Sequence, residues 1–198
     1  MIHGQNIFNI LGKIFAIILL LFLMLTIWLF SIGEDSGKLN QVDIIVCLSG
    51  GSWERLMRTA ELYQEGWARQ ILLAKTKYTH PVVNDYFKSW KEGFLLSRGV
   101  EPQSIYQTTG YVSSTYDECV ETLAFMKNNN LESAIILTDL LHLTRVKRTY
   151  HTLVPDSVQL IYIASDMSKT NSNSDQRLES ILYRFLESIK LLMYILKY

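Results

Sequence analysis

Cysteine and net charge are both scarce in this chain, and each shortage removes a class of protein. Cys47 and Cys119 are the only thiols in 198 residues and show no CxxC spacing, so neither a disulfide scaffold nor a redox motif is indicated. Cys47 falls in an apolar strand-like run and Cys119 in a helical one, so both are expected as reduced, buried residues. Histidine is sparse as well. His142 and His151 lie nine residues apart, on opposite sides of any one helix, and His80 stands far from both, so no metal triad assembles and no metal is expected. The formal net charge of +0 gives no electrostatic reason to bind nucleic acid.

The most telling local shortage is of charge between Ile14 and Gly33, "IFAIILLLFLMLTIWLFSIG". Twenty uncharged residues at the helical rise span about 30 Å, the hydrocarbon thickness of a bilayer, which predicts a single transmembrane helix. Ser31-Ile32-Gly33 resembles a signal cleavage site, but a signal's apolar region runs to only about 7–15 residues, which favours an uncleaved anchor. His3 and Lys13 precede the span while Glu34 and Asp35 follow it, so the positive-inside rule places the main domain outside the cytoplasmic membrane. The expected organisation is a short cytoplasmic N-terminus (1–13), an anchor (14–33), a polar linker (34–41) and an α/β domain (42–198).

Within that domain continuous apolar runs alternate with amphipathic stretches, and no internal repeat is visible. "VDIIVCLS", "QILLA", "SIYQT", "SAIILT" and "VQLIYIA" read as five buried strands. Helices are expected near 52–65, 82–98, 115–128, 141–153 and 176–198, the second stopped by Gly99 with Pro102 beyond. This is the pattern of a Rossmann-like three-layer sandwich around a mainly parallel five-stranded sheet; the strand order is not readable from it. On the last helix Arg184, Glu187 and Lys190 form one polar stripe in an apolar surround, which suits a core-covering helix or membrane contact.

Ligands of open α/β sheets bind at the carboxyl ends of the strands, and polar residues gather after three of these runs. After the first come Gly50 and Gly51, which permit close backbone approach, then Ser52 and Arg55. Arg58 has Glu54 four residues before it as an expected partner. Arg55 has none at helical spacing, and a cation at a helix start is unfavourable by about 0.3–1 kcal/mol. Its partner must be a ligand anion or a distant carboxylate. After the third run, Thr115 and Glu118 fit a capping box, with Ser114 and Asp117 left to face the cleft. After the fourth, Asp139 precedes His142 and Arg145, which share a helix face.

The segments "DIIVCLSGG…ER…A.ELYQEGWARQILL", "LSRGVEPQSI", "SSTYDE" and "AIILTDLLHLTRVKR" together resemble the YdcF-like family, the SanA- and ElyC-like bacterial envelope proteins. The resemblance runs from about Val42 to the fifth strand, and the anchor looks like that of the membrane-bound members. It implies ligand-binding positions at Gly50, Gly51, Arg55, Ser114, Thr115, Glu118, His142 and Arg145, and a role in envelope biogenesis or lipid-carrier physiology. One position departs: Asp139 stands where the family usually has serine, so the ligand is expected to differ. The reading is of an anchored domain for an anionic, phosphorylated metabolite or lipid-linked phosphate, its cofactor unknown, with His142 as the acid/base of any phosphate-ester or group-transfer chemistry. A tethered nucleotide or S-adenosylmethionine binder and a non-enzymatic envelope scaffold remain open. "LLAKTKY" has no acid to hold a ribose after the second strand.

Overall fold

The computed structural model describes residues 11–24, 41–50, 53–76 and 90–165, together with positions 186, 187, 189, 190 and 193. The chain divides into two compact units, Asp35–Asn171 and a second made of Met1–Glu34 with Ser172–Tyr198. In the second unit residues 11–24 are helical (α1), with apolar side chains such as Ile14, Phe15 and Leu20 exposed. Among the described residues no helix is long and apolar enough to cross a membrane; positions 25–33 of the expected anchor lie outside them. The described C-terminal positions are helical, and Lys190 Nζ donates to Glu187 Oε1 at 2.8 Å, two members of the expected polar stripe. Arg184 lies outside the described residues.

The Asp35–Asn171 unit holds β1 (Ile44–Cys47), α2 (Trp53–Gln64), β2 (Ile71–Leu73), α3 (90–97), β3 (Ile105–Gln107), α4 (Thr115–Asn128), β4 (Ser133–Asp139), α5 (Leu140–Leu153) and β5 (Gln159–Ser165). All neighbouring strands pair in parallel, in the order β3-β2-β1-β4-β5. The expected α/β class and its five strands are therefore present. Of the helix expected over 82–98, positions 82–89 lie outside the described residues and 90–97 are helical.

The central strands read as unbroken apolar runs because both their faces are covered. From β1, Ile45 and Cys47 turn to a core shared with Leu56, Ala60 and Leu62 of α2 and Leu95 of α3. Ile44 and Val46 turn the other way, to Cys119 and Met126 of α4 and Val146 and Tyr150 of α5. That alternation puts the two cysteines on opposite faces of the sheet, where no disulfide can join them. Both are free and buried. Burial pushes both thiols up, Cys119 to about 12.

β1 and β4 are neighbours whose following helices leave toward opposite faces, α2 to one and α5 to the other. A crevice opens between such strands at their carboxyl ends, which is where this fold places ligands.

Candidate functional site

Arg55, in the first turn of α2, is 1% exposed and bridges the carboxyl ends of β1 and β4. Its Nε donates to Asp139 Oδ1 at 3.3 Å and Nη2 to Asp139 Oδ2 at 2.6 Å, a two-pronged pair with the last residue of β4. Nη1 donates to the Leu48 carbonyl at 2.7 Å and also to the Ser49 carbonyl. The partner that helical spacing denied to Arg55 is thus a carboxylate 84 residues away. Asp139 is also the N-cap of α5, yet makes no capping hydrogen bond; its Oδ1 instead accepts from Ser165 Oγ at 2.8 Å. Ser165, at the end of β5 and fully buried, belongs to the cluster although it was not among the expected residues. Its only sequence signal is its place at a strand's carboxyl end.

Gly50 makes the close passage of Arg55 feasible. Its φ is +128°, and a Cβ there would stand 2.8 Å from Arg55 Nη1 and 2.9 Å from Nη2. Gly51 lies outside the described residues, as does Ser52.

The start of α4 differs by one residue from the expected capping box. The N-cap is Ser114, whose Oγ accepts from the Asp117 amide at 3.1 Å, while Asp117 Oδ2 accepts from Ser113 N at 3.0 Å and Ser113 Oγ at 2.7 Å. Burial raises the Asp117 carboxyl, but these Ser113 and Ser114 bonds outweigh it and hold it below its ordinary value. Thr115 is buried and is not the cap. The shift releases Glu118 from capping. Its Oε1 accepts from the Ser49 amide at 2.6 Å, tying α4 to the turn after β1. Arg58 also departs from expectation: it pairs with Glu61 at 2.9 Å, one turn on along α2, and with Glu65 at 3.3 Å, in the turn just after the helix.

On α5 the expected face forms. Arg145 Nη2 lies 2.9 Å from His142 Nδ1. A guanidinium cannot accept, so Nδ1 does, and the ring carries its proton on Nε2. Arg145 and Arg55 both act electrostatically on Glu118, so α2, α4 and α5 converge on one cluster. Gly50, Arg55, Glu118, Asp139, His142 and Arg145 are brought together; Ser114 and Asp117 are engaged with each other at the start of α4. No group of three or more potential metal ligands occurs among the described residues.

No protein-family model and no curated protein matches the chain. Among solved structures it is similar to a universal stress protein in complex with cAMP, at 12% identity and a TM-score of 0.44, over 64% of this chain and 100% of the other. A likeness at that level carries nothing about what this chain binds.

Proposed function

We propose that the chain is a membrane-anchored envelope protein whose Asp35–Asn171 unit takes an anionic, phosphorylated small molecule or lipid-linked phosphate at the carboxyl ends of β1 and β4. The observation that carries the reading is the Arg145–His142 pair beside Glu118 and the Gly50 turn. A guanidinium and an Nε2–H imidazole on one helix face are the donors that a phosphoryl group accepts from. The envelope role and the anchor rest on the sequence resemblance and the uncharged Ile14–Gly33 run. Arg55, already held by Asp139, serves this site by fixing its walls rather than by gripping the ligand. If the bound group is a phosphate ester, the Nε2–H of a neutral His142 would donate a hydrogen bond to its leaving oxygen rather than transfer the proton, since losing it would leave an imidazolate.

Inorganic phosphate tests the reading directly. At about a hundredfold above its Kd, linkage adds about 2.7 kcal/mol to the folded state, a readily measured rise in melting temperature. Arg145→Ala should lose most of that rise, while Arg58→Ala, on the exposed Glu61–Glu65 pair, should keep it. Equal phosphate stabilisation in wild type and Arg145→Ala would remove the site. Orientation has its own check: alkaline phosphatase fused after Tyr198 should be active, and an inactive fusion beside an active cytoplasmic reporter at the same site overturns this orientation.

A further inference from the structure

We infer that Glu118 is the proton acceptor of the crevice, so that an anion enters it together with one proton on this carboxyl; the inference rests on the anion-binding reading above. Glu118 is 6% exposed, and Ser49 holds its carboxyl through both its amide, which donates to Oε1 at 2.6 Å, and its side chain. Every element packed around it contributes a group. The turn after β1 gives the Ser49 amide, α2 gives Arg55, α5 gives Arg145 and Tyr150, and α4 gives Cys119. Asp139 stands behind Arg55 as its ion partner, and His142 beside Arg145.

Burial raises the Glu118 carboxyl, and the Ser49 bonds and the attraction of Arg55 and Arg145 do not cancel it. The reason lies in the pairing: Arg55 is already engaged bidentately by Asp139, which spends much of its field. Cys119 is pushed to about 12 and Tyr150 well above its ordinary value, so both stay neutral where Glu118 titrates. An anion arriving at Arg145 brings like charge beside Glu118 in a poorly solvated place, which favours the protonated carboxyl further. Protonation also changes what Glu118 offers. The carboxylate only accepts hydrogen bonds, whereas the acid donates one, and an oxyanion is an acceptor. The ligand class is therefore an anion with several acceptor oxygens, a phosphate or sulfate group rather than a neutral sugar.

Sulfate is the probe, because its charge is constant across the working range. Calorimetric binding to the full chain, from about pH 5 to about pH 9 in two buffers of different ionisation enthalpy, reports proton uptake directly. In the pH window between the titration of Glu118 in the free protein and its higher titration in the sulfate complex, wild type should take up close to one proton per sulfate, its affinity falling by about tenfold per pH unit there. Glu118→Gln keeps an oxygen for the Ser49 amide but cannot titrate; it should bind sulfate with affinity flat over the range where wild type falls. Sulfate binding by wild type without proton uptake overturns the inference and leaves the anion site standing. Unchanged proton uptake in Glu118→Gln assigns the proton to another group and also overturns it. No sulfate binding by wild type removes the anion site and this inference with it.

Discussion

Arg55→Ala is expected to destabilise the domain by about 3 kcal/mol, the low end of what breaking one side of a buried ion pair costs. The low end applies because Asp139 keeps 18% side-chain exposure and water can reach it in part. The truncation takes the two-pronged donor from Asp139, to which Ser165 Oγ still donates, and the Nη1 donor from the Leu48 and Ser49 carbonyls. At about 3 °C per kcal/mol for a domain of this size, the melting temperature should fall by about 10 °C. From the sequence alone the expected sign is opposite, since removing an uncompensated cation from a helix start relieves the dipole. Arg55→Lys should lose part of the same stability, because an ammonium cannot reproduce the two-pronged bond. The double variant Arg55→Met with Asp139→Leu should recover most of the loss, as apolar replacement of a buried pair is often neutral or stabilising. An Arg55→Ala protein as stable as wild type would show that the pair does not hold this end of the sheet.

The fold was legible because the strands are short, largely apolar runs and two of the helices are stopped by glycines, Gly66 and Gly99, both at positive φ. Strand order was not, because hydrophobic period tells which faces are covered and says nothing about which strands pair. The same gap hid the partner of Arg55. Only once β1 and β4 are known to be adjacent does Asp139 stand opposite the first turn of α2. The candidate residues were found by the strand-end rule, and six of them meet; their roles were not legible. "SSTYDE" allows two capping registers, Thr115 with Glu118 or Ser114 with Asp117, and local pattern does not choose between them. The choice falls to tertiary structure, since the Ser49 amide gives Glu118 a partner that only the folded sheet brings near.

Gly50→Ala should cost about as much as losing Arg55, through two separable effects. The first is conformational: φ of +128° is a region that L side chains rarely adopt, costing of order 1–3 kcal/mol where it is forced. The second is steric. A methyl group 2.8 Å from Arg55 Nη1 would be harmless if the guanidinium swung aside, as the ends of long side chains commonly do. Here it cannot do so cheaply, because Asp139, Leu48 and Ser49 hold three of its nitrogens in place. Moving it breaks the pair with Asp139, so the collision and the ion pair are coupled and their costs do not add. The double-mutant cycle separates them. Gly50→Ala in the Arg55→Ala background should retain the conformational cost alone and be milder than in wild type, by about 1–2 kcal/mol in chemical denaturation. A full, undiminished cost in that background would place the whole requirement for glycine in the backbone turn, leaving the approach of Arg55 irrelevant to it.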